Sequence, residues 1–150
     1  LCNSGHYVEA AQRFLQAQER RPVGSELWAR ATAAVFDMLQ LDACAEVVKP
    51  EWWNDEALKA LSARVVRAAP NDLQANQMRA KVLSGLVNGA WKAGPRSVAE
   101  YKKAATLYER VAADCTAPLA KAKYVEAAKT SRKLAELCAL LPRGMPWPLP

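Results

Sequence analysis

The chain has 150 residues, of which 51% are hydrophobic and 24% are charged, and its formal net charge is +6. This balance is typical of a folded globular domain and excludes a chain that is disordered over most of its length. The longest apolar-leaning run, at 82–91, has about half of the roughly 20 residues that a membrane-spanning helix needs, so we expect no membrane span.

Alanine and cysteine usage narrow the class of protein further. Alanine fills 30 positions, and it loses the least side-chain entropy in a helix, so an all-α fold is predicted. The four cysteines lie far apart and are accompanied by a single histidine. This spacing favours reduced thiols in the cytoplasm or another intracellular compartment over a disulfide framework or a zinc site.

Prolines divide the chain into helices, because proline cannot lie inside a helix without removing a hydrogen bond. Pro22, Pro70 and Pro118 are spaced 48 residues apart, and Pro50, Pro95 and Pro142 alternate with them. The pattern predicts helices at about 5–20, 25–48, 55–69, 72–91, 97–114 and 118–141. The predicted N-caps are Ser25, Asn54, Asn71 or Asp72, and Ser97 in a capping box with Glu100.

Small and large apolar residues recur along these helices with a fixed period. Ala10, Ala57 and Ala104 are 47 residues apart, and the same interval separates the large residues one turn later, Phe14, Leu61 and Tyr108. Short connections make successive helices antiparallel, and a period of this size is typical of a helical solenoid. We therefore expect one repeat domain of stacked antiparallel hairpins at 1–141, followed by a proline-rich extended tail at 142–150.

The stretch GHYVEAAQRFLQAQERRP at 5–22 resembles the second helix of a tetratricopeptide repeat. The positions that carry the resemblance are Gly5, Tyr7, Glu9, Ala10, Phe14, Ala17 and Pro22. Trp28 matches the tryptophan of the next repeat's first helix, and YKKAATLYERV at 101–111 resembles another second helix. The consensus period of that family is about 34 residues. HEAT and armadillo repeats are the alternative, since they match the period better and the residue pattern less well.

The resemblance implies a non-enzymatic scaffold that binds a protein segment on its helical surface. It also implies that 5–20 is the second half of a hairpin whose first half is missing, so we expect Tyr7, Ala11 and Phe14 to be partly exposed or covered by another chain. Catalytic motifs are not found: there is no glycine-rich phosphate loop, no Gly-x-Ser-x-Gly and no His-Glu-x-x-His. His6 is expected in an exposed turn, and no enzyme activity, cofactor or metal is predicted.

Basic residues collect on one side of the last predicted helix. Lys121, Lys129, Arg132 and Lys133 lie opposite an apolar arc that is predicted to be buried. The members of that arc are Leu119, Ala120, Tyr124, Ala127, Leu134, Leu137, Cys138 and Leu141. The basic side is either an ordinary solvated face or a site for an acidic peptide. Nucleic acid is the alternative ligand, although the aromatic residues that stack on bases are not interleaved with these charges.

Two further segments are candidates for binding. Trp52 lies in a predicted loop, where it serves as a binding anchor or packs beneath the loop. The tail at 142–150, with Trp147, is predicted to dock in another protein, act as a spacer or fold back. The chain could also be the docking or regulatory module of a larger enzyme, and oligomeric state stays open.

Overall fold

In the computed structural model, the described residues are 4–87 and 89–142, and over these ranges the protein is all-helical, with no strand. The six α-helices are α1 (Ser4–Arg20), α2 (Glu26–Leu39), α3 (Asp55–Ala68), α4 (Leu73–Ser84), α5 (Val98–Asp114) and α6 (Pro118–Ala139). A short 3-10 helix follows α2 at Asp42–Cys44. The predicted all-α class and the number of helices are therefore confirmed. Of the predicted tail, all but its first residue lies outside the described ranges.

Each predicted N-cap forms where the sequence signals it. Ser25 Oγ accepts the backbone N–H of Trp28 at 3.1 Å, and Asn54 Oδ1 accepts that of Ala57 at 2.9 Å. Asp72, one of the two candidates before α4, accepts from Ala75 at 3.0 Å. The capping box of α5 is reciprocal, with Ser97 as its N-cap. These bonds satisfy amide groups that the first helical turn leaves without partners, which explains why the helix starts were predictable.

The second helix is shorter than predicted, because α2 ends at Leu39 and not near residue 48. The Gln40 side chain donates to the carbonyl of Phe36 at 2.8 Å, and Leu41 is extended. Residues beyond this point return to the core through the 3-10 helix, which buries Cys44 completely. Apolar residues continue past Leu39 because Cys44 and Val47 also pack in this core, although they are no longer in the same helix, whereas Leu41 and Val48 are 40% and 88% exposed.

The fourth helix is also shorter than predicted: α4 ends at Ser84, not at residue 91. Gly85 has a φ of 68°, the left-handed conformation that ends many helices and that glycine adopts without steric cost. Arg96 is 3% exposed, and its guanidinium donates to the carbonyl of Val82 from Nε at 3.2 Å and from Nη2 at 2.9 Å. A buried cation therefore caps the C-terminal end of α4, where the helix dipole is negative.

The contacts group the chain into two compact units, with the boundary after Met78, inside α4. In the first unit, α1 packs against α2 and the 3-10 helix, and α2 also packs against α3. Its core joins Ala11 of α1 to Val35, Leu39 and Cys44. Trp28, predicted to be a core residue, is 3% exposed.

The second unit is built around α5. Ala104 and Tyr108 of α5 share one core with Ala80 and Leu83 of α4 and with Ala128 of α6. The Tyr108 ring stacks on Tyr124 of α6 with the ring centroids 6.1 Å apart. Because later residues of α6 contact earlier residues of α5, these two helices are antiparallel, as their short connection predicts.

The buried face of α6 differs from the predicted arc. Leu119 is 88% exposed and Leu137 is 37% exposed, so both predictions were wrong. The completely or almost completely buried positions are Ala128, Ser131 and Ala135. Small side chains allow α5 and α6 to approach closely, and the Ser131 hydroxyl donates to the carbonyl of Ala127 at 2.9 Å. The sequence reasoning favoured large apolar residues and thus missed the small residues at the contact.

Candidate functional site

The basic residues predicted on α6 are exposed, and two of them have acidic neighbours. Arg132 donates to Glu109 Oε1 of α5 from Nε at 2.7 Å and from Nη2 at 2.6 Å. Lys129 lies 4.0 Å from Glu126 of its own helix. The charge that this side of α6 offers to a ligand is therefore smaller than the sequence suggests.

Lys121 and Lys133 are the other two predicted residues. Both are exposed, and within residues 4–87 and 89–142 neither has an ion-pair partner. All four basic residues lie on α6. Among them, only Lys121 and Lys133 have no ion-pair partner in the described ranges. Binding of an acidic ligand by α6 stays a prediction.

Trp52 is half-buried against the core of the first unit. Its ring centroid lies 5.8 Å from that of Trp53, which in turn lies 5.7 Å from that of Phe36. Both tryptophans pack against the cluster that contains Ala11 and Cys44. This packing buries part of the Trp52 side chain. Its role as a binding anchor stays a prediction.

A groove of about 370 Å³ runs between α1 and α2 in the first unit. Alanines from both helices line it together with larger apolar side chains and charged residues. Its lining residues are Phe14, Ala17, Arg21, Leu27, Arg30, Ala31, Ala34, Asp37, Met38 and Gln74. Small residues beside exposed apolar ones leave room for another apolar segment to approach the two helices, as at protein interfaces.

The α1 wall of this groove belongs to a half-exposed apolar stripe. Phe14 is 40% exposed, and Tyr7, two helical turns earlier on the same side, is 43% exposed. The prediction that these two aromatic residues are partly exposed is confirmed. Ala11 was included in that prediction, but it is completely buried because Val35, Leu39 and Cys44 pack around it. The stripe thus has one covered edge and one open edge.

The α2 wall presents a second apolar stripe that the sequence reasoning missed. Leu27, Ala31, Ala34 and Met38 follow one another at helical spacing, and Leu27 is 51% exposed. The opposite side of α2 is in the core, where Trp28 is buried. A helix that is apolar on more than one side has more than one apolar contact to make. That signal was available in ELWARATAAVFDML, which carries charge only at Glu26, Arg30 and Asp37.

Charges of opposite sign mark the two ends of the groove. Arg21 and Arg30 lie at the end formed by the α1–α2 turn, and Asp37 lies toward the other end. Arg30 Nε is 3.6 Å from Asp72 Oδ1, whereas Arg21 and Asp37 have no ion-pair partner within the described ranges. Groups that are exposed and unpaired in this way are available to a charged ligand.

Outside the groove and α6, the described part of the chain offers few reactive or metal-binding side chains. His6 is exposed and lies in α1, so its predicted location in a turn was wrong. Among residues 4–87 and 89–142, no three His, Cys, Asp or Glu side chains are grouped to hold a metal ion. Burial raises the pKa of Tyr108 to about 12, and its hydroxyl lies 3.1 Å from that of Ser84. This pair is enclosed in the core, where it has a packing role.

No helix in the described part of the chain has the length and apolar character to span a membrane. Comparison of the sequence with protein-family models and with curated proteins finds no match. Comparison of the fold with solved structures also finds none.

Proposed function

We propose that this chain is a non-enzymatic scaffold of the tetratricopeptide-like kind, which holds a segment of a protein partner in the α1–α2 groove. The observation that carries the proposal is the half-exposed pair Tyr7 and Phe14 beside an alanine-lined groove. Exposed aromatic residues are favoured at protein interfaces because they bury a large apolar area and lose little conformational entropy. The 47-residue period and the tetratricopeptide-like stretch at 5–22 also support this kind of protein.

Site-specific photo-crosslinking tests the location of the partner. A benzophenone amino acid replaces Phe14 in the groove, and in a matched chain it replaces Gln16, which is exposed on the other side of the same helix. We expect a specific crosslinked protein from position 14 and not from position 16. The substitution Ala34→Arg, which obstructs the groove without removing a packed side chain, should abolish the product from position 14.

Two results would overturn this function. One is the same set of crosslinked products from both positions, which would show that the groove has no specific role. The other is a failure to recover any protein partner, together with robust turnover of a small molecule by the purified chain.

A further inference from the structure

The apolar stripe of α1 has a counterpart within the same chain. The pairs Tyr7 and Tyr101, Ala10 and Ala104, Ala11 and Ala105, and Phe14 and Tyr108 are each separated by 94 residues, which is two periods. Helices α1 and α5 therefore carry the same pattern of large and small residues on the same face. What covers this face on α5 indicates what fits it on α1.

On α5 the face is covered from two sides. Ala104 and Tyr108 contact a cluster to which α6 contributes Ala128 and α4 contributes Ala80 and Leu83. Tyr108 is only 4% exposed as a result, and Tyr101, two helical turns earlier on α5, is also 4% exposed. The hydroxyl groups of Ser84 and Tyr108 add a hydrogen bond of 3.1 Å.

On α1 the corresponding face is covered from one side. Helix α2 and the 3-10 helix pack against α1, while Tyr7 and Phe14 remain 43% and 40% exposed. The open edge borders the groove. Phe14 on this edge has the place of Tyr108, the aromatic residue that α4 helps to bury on α5.

We infer that the occupant of the α1–α2 groove is an amphipathic α-helix of a partner protein, which presents alanine and leucine three residues apart, as α4 presents Ala80 and Leu83. This inference rests on the proposed function and specifies its ligand. A small residue allows the helix to approach the groove alanines, and a leucine in the following turn packs against Phe14.

The charges of the groove give the helix a direction. Arg21 at one end and Asp37 at the other are unpaired within the described ranges. A helix with acidic residues in its first turn and basic residues in its last turn complements both ends when its first turn lies beside Arg21. This charge order also favours the helix itself, since it complements the helix dipole. The occupant therefore runs antiparallel to α1.

Two synthetic peptides test the inference on the whole chain. Both are hydrocarbon-stapled so that they are equally helical, and both carry alanine and leucine at the spacing of Ala80 and Leu83. One has glutamates in its first turn and lysines in its last turn, and the other has the reverse order. From two exposed ion pairs we expect the first peptide to bind about fivefold more tightly, measured by fluorescence anisotropy.

Variants of the chain assign the binding to the groove. Phe14→Ala should weaken binding by about tenfold through lost apolar contact, and Ala34→Arg should abolish it. Leu41→Ala is the matched control, because Leu41 is also 40% exposed but does not line the groove. The double charge swap Arg21→Glu with Asp37→Lys should reverse the preference between the peptides.

Failure of this inference can be separated from failure of the proposed function. If neither peptide binds, or if the preference survives the charge swap, the helical occupant is wrong. Crosslinking from position 14 would still support a protein partner in that case, of a different conformation. If Phe14→Ala and Leu41→Ala weaken peptide binding equally, the inference would also be overturned.

Discussion

The hydroxyl groups of Ser84 and Tyr108 lie 3.1 Å apart in the contact between α4 and α5. Ser84 Oγ also donates to the carbonyl of Lys81 at 2.9 Å, so Ser84 Oγ acts as the acceptor when Tyr108 donates. Both residues are almost completely buried. This pair joins two helices that a 13-residue connection separates in the chain.

Tyr108→Phe removes this hydrogen bond and keeps the ring that stacks on Tyr124. Because Ser84 retains the carbonyl of Lys81, we expect the free energy of unfolding to fall by only about 0.5–1.5 kcal/mol, measured by urea denaturation. Tyr7→Phe is the control on α1, where the tyrosine side chain is 43% exposed. An equal loss in both variants would contradict the role assigned to the buried pair.

Tyr108 also makes the free energy of unfolding depend on pH in the alkaline range. Burial raises the pKa of Tyr108 to about 12, whereas an unfolded tyrosine titrates near 10. Its neutral form therefore contributes stability that is complete below about pH 10 and is lost as the pH rises toward about 12, with a total of about 3 kcal/mol. Urea unfolding across this range should show the decline, and Tyr108→Phe should remove this part of it. A decline unchanged in Tyr108→Phe would assign it to other groups.

Two glycines should respond to alanine in opposite directions. Gly85 has a φ of 68° and a Cβ there would lie 3.4 Å from Arg96 Nε, so we expect Gly85→Ala to destabilise the chain by about 1–2 kcal/mol. Gly5 lies in α1 with open space around it. Gly5→Ala should stabilise by up to about 0.5–1 kcal/mol because alanine has less backbone freedom to lose. Thermal denaturation of both variants would measure the contrast, and destabilisation by Gly5→Ala would contradict it.

The exposed side of α6 can be tested independently of the groove. If it binds acidic ligands, replacing Lys121, Lys129, Arg132 and Lys133 with glutamine should abolish binding of polyglutamate. Binding by the unmodified chain should also weaken as salt is added. Single-stranded RNA in the same anisotropy assay tests the nucleic-acid alternative. Unchanged binding after all four substitutions would exclude α6 as the site for either ligand.

Two single variants compare a basic residue of α6 that is ion-paired, Arg132, with one that is not, Lys133. Arg132 is 48% exposed and bonded to Glu109, which is 50% exposed, so Arg132→Gln should change stability by less than about 1 kcal/mol. Lys133→Gln should leave stability unchanged, since Lys133 is unpaired in the described part of the chain. For a bound polyanion, we expect the larger loss of affinity from Lys133→Gln, because Arg132 is partly neutralised by Glu109.

Helix starts could be predicted from the sequence, whereas two helix ends could not. The caps at Ser25, Asn54 and Ser97 depend on side chains that reach an amide three residues away, so the signal is local. The end of α4 depends on Arg96, which is fourteen residues away from the carbonyl of Val82 that it binds. After α2, Cys44 and Val47 reach the core by way of the 3-10 helix, so apolar residues continue past the helix end. Periodicity alone does not separate that arrangement from a longer helix.

The sequence by itself determined the helical class, the helix starts and the repeated pattern that Phe14 and Tyr108 share. Local hydrogen bonding and side-chain entropy favour those features before any tertiary contact forms. Only the tertiary structure decided that Tyr108 is buried at 4% exposure, whereas Phe14 is 40% exposed, as the sequence predicts. The two residues have the same place in the pattern, but α4 and α6 both contact the cluster of Tyr108, and Phe14 borders an open groove. Burial depends on which helices pack alongside, and residues far away in the chain supply those helices.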